Sequence, residues 1–278
     1  MRMYRIKRFG WLPDPLDHRD YRLDTPAVAK ATDRAAKKSK RKIKARPPQK
    51  VPPRVDLRDT CTPIEDQGDI GSCTAQAVVG LLECLWKQTH GQHLDASRLF
   101  LYKVTRNLLG WEGDTGAFVR TAIKAAKLFG VCPEDYWSYD EETFDEEPPA
   151  FCYSFARSYK TLVYYRLEEK LPALKASLAQ GIPFAFGFTC FASIDDVPSQ
   201  GKDRGVIPFP EKDESDVGGH AVVAVGYEEK RKQFIIRNSW GTDWGDGGYG
   251  YLPYEYFEAE LADDCWCLLK TEFDDPQN

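Results

Sequence analysis

The sequence predicts an α+β fold of two packed lobes, the first rich in helix and the second in strand, with a cleft between them. Three observations carry this expectation. Apolar residues recur at helical spacing from Cys73 to about His90 and again from Ala117 to Leu128. Beyond Gly181 the chain changes to short β-branched and aromatic runs broken by Gly, Asp and Pro. And 278 residues, 42% of them hydrophobic and 13% aromatic, suffice to bury a sizeable core.

The N-terminus is basic, with Arg2, Arg5, Lys7 and Arg8, but Asp14, Pro15 and Asp17 arrive before the apolar core of a secretory signal could form. A cytoplasmic protein is therefore expected, with export by another route left open. Residues 29–50 (AKATDRAAKKSKRKIKARPPQK) are strongly basic and read as an exposed linker. Either this is a solvated tail, or it is a processing site between an N-terminal prosegment, residues 1–50, and an enzyme body, residues 51–278. The body divides into a helix-rich lobe at about 51–160 and a β-rich lobe at about 161–278.

Composition excludes several function classes. The longest apolar stretches, Ile182 to Phe188 and Ala221 to Tyr227, are far shorter than the roughly 20 residues that span a bilayer, so no membrane partner is expected. The net charge of -5 and the lack of basic residues alternating with aromatics argue against nucleic acid. Reserving one of eight cysteines for chemistry leaves an odd number, and mostly reduced thiols are expected. Cys265 and Cys267 share one face of a strand, and without a second ligand pair they are a weak zinc signal; no metal and no cofactor are expected.

The helical elements come first. Residues 78, 81, 82, 85 and 86 form the apolar stripe of a helix from Cys73 to about His90, with Ser72 as N-cap. A second helix is predicted over Ala117–Leu128, closed at Gly130, and a third over Leu171–Gln180. Strands are predicted in IPFAFGF, HAVVAVGY, QFIIRNSW and CWCLLK. No internal repeat is visible.

Three segments carry chemistry. In Gln67-Gly68-Asp69-Ile70-Gly71-Ser72-Cys73, a glycine-bearing turn delivers a cysteine to a helix start, where unsatisfied N–H groups favour the thiolate. The glycines let the backbone turn sharply and leave room for a peptide, so Gly71 and Ser72 are candidate substrate-binding residues. In Gly218-Gly219-His220, a histidine opens an apolar strand; His18, His90 and His93 sit in polar settings, which leaves His220 as the candidate base. In Arg237-Asn238-Ser239-Trp240-Gly241, a strand ends in an Asn whose amide oxygen can fix the imidazole, with a Trp to shield that bond. Taken singly, each segment is equally an ordinary buried cysteine, core histidine or packed turn.

Together and in this order, from VDLR at Val55 to GGYGYLPY at Tyr254, the segments closely resemble the papain-like cysteine peptidases. The resemblance implies a helical N-terminal lobe, an antiparallel β-barrel-like C-terminal lobe, and a catalytic set of Cys73, His220, Asn238 and Gln67, with Gln67 and the Cys73 N–H forming the oxyanion hole. It assigns Gly116, in a looser match of Gly113-Asp114-Thr115-Gly116, to pairing with substrate backbone, and Gly219 and Trp240 to the opposite wall. The interval from Cys73 to Asn238 is slightly long for the family, which a loop insertion around Asp195 to Asp216 explains. Ile70 stands where the family usually has a disulfide cysteine, and Thr74 where it usually has an aromatic. Residues Gly10 to Tyr21 look like the short N-terminal extension of microbial members.

The resemblance implies hydrolysis of peptides or proteins without a cofactor, through a thioester, with the N-terminal segment self-inhibitory until removed. A transpeptidase or amidase on the same scaffold, a catalytically silent binding module and exopeptidase trimming stay open. Side-chain specificity and oligomeric state are not legible.

Overall fold

The computed structural model describes residues 9–38 and 51–273. Helix α1 (Pro26–Lys38) falls where the sequence suggests an exposed linker; it packs on the β-rich lobe and buries Val28 and Thr32, one turn apart. Its Ala- and Lys-rich composition suits a helix once one face finds a surface. The remainder of that segment, 39–50, lies outside the described residues.

After a short strand β1 (Arg54–Asp56), helices α2 (Cys73–His90), α3 (Arg98–Leu109), α4 (Val119–Leu128) and the short α5 (Ala150–Ala156) build the first lobe. All residues of α2 from Cys73 to Cys84 are buried, so α2 runs through the core. Gly80 in its middle makes room for Arg237: a Cβ there would lie 2.7 Å from the guanidinium Nη1. Helix α3 is absent from the sequence expectation although Ser97 caps it, its Oγ accepting the Phe100 N–H at 3.1 Å. Three long cationic residues, Arg98, Lys103 and Arg106, are buried along α3 and break its apolar pattern. Arg98 donates to both oxygens of buried Glu83 at 2.9 Å, which makes these charges partners across α2 and α3.

The second lobe contains β2 (Tyr159–Arg166), α6 (Leu171–Ala179), β3 (Phe184–Phe191), β4 (Asp216–Glu228), β5 (Gln233–Arg237), β6 (Tyr249–Pro253), α7 (Glu255–Glu258) and β7 (Ala262–Phe273). These strands form one antiparallel sheet in the order β2-β7-β3-β4-β5-β6, with β1 paired to the end of β4. The sheet explains the unbroken apolar run in β4. Ala221, Val223 and Val225 enter the core shared with α2, α3 and α4, whereas Val222 and Ala224 enter a second core with Phe184, Phe186 and Phe234. A strand buried on both faces loses its polar alternation. No helix among the described residues is long and apolar enough to cross a membrane.

Hydrogen bonds clasp the segment before α2 to the turn after β5. Gln67 N–H donates to Ser239 O at 2.8 Å, Gly241 N–H to Glu65 O at 2.9 Å, and Arg237 reaches back to the Pro63 carbonyl.

Candidate active site

Cys73 is the first residue of α2 and is fully buried. Its sulfur lies within hydrogen-bonding reach of the N–H of Ala221, the residue after His220, so the thiol abuts β4 at the histidine. His220 Nε2 meets Asn238 Oδ1 at 2.7 Å, and Asn238 Oδ1 also accepts the Ser239 N–H at 2.9 Å. An amide oxygen held this way requires an imidazole N–H at Nε2, which leaves Nδ1 as the basic nitrogen. That Nδ1 is buried and, among the described residues, has no hydrogen-bond partner. Trp240 stacks on the ring, with centroids 4.4 Å apart and planes inclined by 28°.

Gln67 is fully buried, its amide nitrogen donating to Ile70 O at 3.0 Å and its amide oxygen accepting from Ser239 Oγ at 2.7 Å. The Asn-Ser-Trp turn thus positions both the histidine, through Asn238, and the glutamine, through Ser239. Ser72 occupies the N-cap position of α2 without a capping side-chain bond; its Oγ lies 2.6 Å from Tyr139 OH, which donates to Gln67 O at 2.8 Å.

Burial dominates the electrostatics. It pushes the Cys73 thiol up to about 11, against the opposing N–H bonds of Ala221 and Gly10, and pulls the His220 imidazole down to about 4 despite the Asn238 bond. Both groups are neutral at pH 7 in this closed arrangement.

The burying agent is the N-terminal segment. Gly10 sits over the sulfur, its carbonyl accepting the Ala117 N–H at 2.8 Å. Trp11 N–H donates to Gly219 O at 3.0 Å and Leu12 N–H to Ala117 O at 3.1 Å, making a parallel bridge with Ala117. Phe9 meets His220 and Trp240 edge-on at 6.3 and 6.1 Å. The Trp11 indole fills a pocket whose walls are glycines: a Cβ on Gly187 would lie 1.9 Å from the ring, and one on Gly219 2.6 Å from it. Its Nε1–H donates to Asp264 Oδ2 at 3.1 Å. Asp264 is fully buried with a left-handed backbone (φ 58°), and burial together with neighbouring Asp14 raises its pKa to about 7.

The structure thus gathers Gln67, Gly71, Ser72, Cys73, Gly116, Gly219, His220, Asn238 and Trp240 around one segment of chain. Backbone pairing falls on Ala117, one residue beyond Gly116; Gly116 instead leaves space for Gly10, whose carbonyl would lie 2.3 Å from a Cβ at 116. Gly71 likewise faces Gly10 and donates its N–H to Asp114 Oδ1 at 2.8 Å. Gly187 and Asp264 have no role in the sequence reading, where a lone glycine in an apolar strand run is the one visible signal, and Trp11 enters it only as part of the short N-terminal extension. A potential metal cluster among the described residues, Glu83, His93 and Asp95, is remote in chemistry from this site, because Arg98 already occupies both Glu83 oxygens.

A two-lobe α+β body with a helix-head cysteine facing a strand-borne histidine defines a cysteine peptidase architecture, and solved structures align accordingly. Xylellain, a cysteine protease from Xylella fastidiosa, aligns with a TM-score of 0.75 and 35% identity over 96% of this chain and 98% of its own. A digestive procathepsin L 3 of Tenebrio molitor shares the fold at 0.60 and 20% identity, over 78% and 70% of the two chains. Residues 51–267 match the profile described as papain family cysteine protease. A peptidase C1-like protein of Acanthamoeba polyphaga mimivirus is 36% identical over 217 residues, 74% of this chain and 69% of the viral protein. Cathepsin K of Gallus gallus is 32% identical over 212 residues, 73% of this chain and 59% of its own length. The chain belongs to the papain family of cysteine proteases.

Proposed function

We propose that the chain is a peptide-bond hydrolase held closed by its own N-terminal segment. The observation that carries this reading is the ring of His220: anchored through Nε2 to Asn238, it keeps Nδ1 free beside the strand that meets the Cys73 sulfur. In the opened cleft, water and the α2 N-terminus favour a thiolate on Cys73, and its proton moves to His220 Nδ1. The thiolate attacks the substrate carbonyl. Negative charge then develops on that oxygen, toward the Cys73 N–H and the Gln67 amide. His220 protonates the leaving amine, giving a thioester; it next takes a proton from water, and hydroxide attack releases the acid and restores the thiol.

The closed segment is held across the cleft by backbone bonds: the Gly10 carbonyl accepts the Ala117 N–H at 2.8 Å, Trp11 N–H donates to Gly219 O at 3.0 Å and Leu12 N–H to Ala117 O at 3.1 Å, which supports an inhibitory role. Extended chain passes on both sides of Cys73, from Phe9 at Trp240 to Trp11 at Gly219, which supports endopeptidase action. The test is cleavage of a peptide library by the wild type beside Cys73→Ala, for the full-length chain and after self-processing. Cleavage confined to chains retaining Cys73, and faster after processing, is expected. Equal cleavage by Cys73→Ala overturns the catalytic reading, and equal rates before and after processing overturn the inhibitory one.

A further inference from the structure

Arg120, in the first turn of α4, is 5% exposed, yet among the described residues each hydrogen bond and ion pair of its guanidinium goes to the N-terminal segment. Nη1 lies 3.2 and 3.1 Å from the two oxygens of Asp20 and 3.8 Å from Asp17; Nε lies 3.9 Å from Asp14; Nη2 donates to the Pro15 carbonyl. Arg166 offers the contrast. It reaches Asp20 at 3.9 Å but keeps three carboxylates of the body, Glu169 at 3.0 Å, Asp263 at 2.8 Å and Asp264 at 3.1 Å. When residues 9–22 leave, Arg166 stays neutralised and Arg120 keeps none of these partners.

Two more donors of the body lose their acceptor at the same moment. The Arg120 backbone N–H points at Asp14 Oδ1 at 3.3 Å, and the Trp266 indole N–H donates to Asp14 Oδ2 at 2.8 Å. Guanidinium, amide and indole thus converge on one buried carboxylate. With the segment gone these three donors face the open cleft and are met by water, and their convergence on one point leaves a preformed positive site that a carboxylate can re-enter with charge-assisted hydrogen bonds. Its place in the cleft is set by the chain that fills it: Asp14 is four residues along from Gly10, which sits over the sulfur, with Trp11 in the pocket between.

We propose that Arg120, its amide and the Trp266 indole form a carboxylate subsite, which in the opened enzyme selects substrates carrying Asp or Glu a few residues from the cleaved bond, on the Trp11 side. The inference rests on the reading that the N-terminal segment leaves the cleft. The segment therefore imitates an acidic substrate at this end.

The test uses the full-length chain with Trp11→Ala, Asp14→Ala and Asp20→Ala, which removes the segment's own anchors. In a binding arm, with Cys73→Ala added, a fluorescent peptide of residues 9–22 is compared with the same peptide carrying Asp14→Asn and Asp20→Asn. The acidic peptide is expected to bind about tenfold tighter or more, as loss of charge-assisted bonds implies, with the difference abolished by Arg120→Gln and partly kept by Arg120→Lys. In a cleavage arm, with Cys73 intact, peptides bearing Asp are expected to exceed their Asn counterparts in kcat/KM, again only while Arg120 is present. Equal binding of the two peptides, no binding of either, or a preference that survives Arg120→Gln overturns the subsite. Failure of the Cys73-bearing chain to cleave any peptide counts against the peptidase reading alone, since the binding arm measures the subsite without chemistry.

Discussion

Replacing Trp11 by alanine should open the cleft of the intact, unprocessed chain. The side chain is 7% exposed, walled by Gly187 and Gly219, and donates to Asp264 at 3.1 Å. Truncating a buried Trp costs about 3–5 kcal/mol, and here that burial exists only while the segment is docked. At about 1.4 kcal/mol per factor of ten, the ratio of closed to open chains should fall by some two to three and a half powers of ten. The readout is the rate at which an epoxide thiol reagent labels Cys73, followed by intact mass so that any self-cleavage is visible. Labelling should accelerate by at least about tenfold, toward a ceiling set by the fully open form. Gly10→Ala reaches the same end by another route, since its Cβ would lie 1.9 Å from the Gly71 carbonyl. If both variants melt like the wild type and label at its rate, the segment does not control access to the sulfur.

Asn238→Ala should lower kcat by about 10- to 100-fold with little change in KM, because it removes the acceptor that orients the His220 ring while leaving the cleft walls intact; a pure KM effect would contradict the assignment. Docking of the segment should carry two opposed pH dependences. Asp264, raised to about 7 when docked, contributes docking stability that is full below its ordinary range near 4 and is lost as pH rises through 7. His220, lowered to about 4, contributes stability that is full above 6.5 and is lost as pH falls through 4. Asp264→Asn should therefore unmask opening on acidification, seen in the Trp11 indole N–H resonance between about pH 6.5 and 4; an unchanged pH profile would refute the pairing. Gly80→Ala should destabilise by about 1–2 kcal/mol despite alanine's better helix propensity, because its Cβ meets the pinned Arg237 guanidinium. In an Arg237→Ala background the same substitution should become neutral or stabilising, as a thermal double-mutant cycle would reveal.

Much of this architecture is written in short-range patterns. The helix head at Cys73, the strand at His220 and the Asn-Ser-Trp turn announce themselves by spacing and glycine placement, and the structure brings their side chains to one cleft. Helix α3 was obscured because Arg98, Lys103 and Arg106 occupy interior positions; their partners Glu83 and Asp145 come from elsewhere in the chain, and only three-dimensional pairing makes such charges compatible with a core. The N-terminal pairings were hidden for a related reason. Asp14, Asp17 and Asp20 look like solvated loop residues until Arg120 is placed opposite them, and the basic run after Thr25 looks like a linker until Val28 and Thr32 find the β-rich lobe.

On the proposed inhibitory role of the segment, the same geometry accounts for dormancy and for readiness. A thiol and an imidazole that exchange a proton need water or fixed dipoles to stabilise the resulting charges, and the docked segment supplies neither at His220: Phe9, Phe188 and Trp240 surround the ring with aromatic faces and edges. Neutrality of the pair follows from this enclosure, as the upward shift at Cys73 and the downward shift at His220 express. Yet the parts that must be aligned for chemistry do not depend on the segment. Asn238 holds His220, Ser239 holds Gln67, and the clasp between Gln67 and Ser239 fixes the lobes, all through residues of the body. Removing the segment thus changes solvation at a site whose geometry is already set, so activation calls for exposure of the pair rather than reassembly of the lobes.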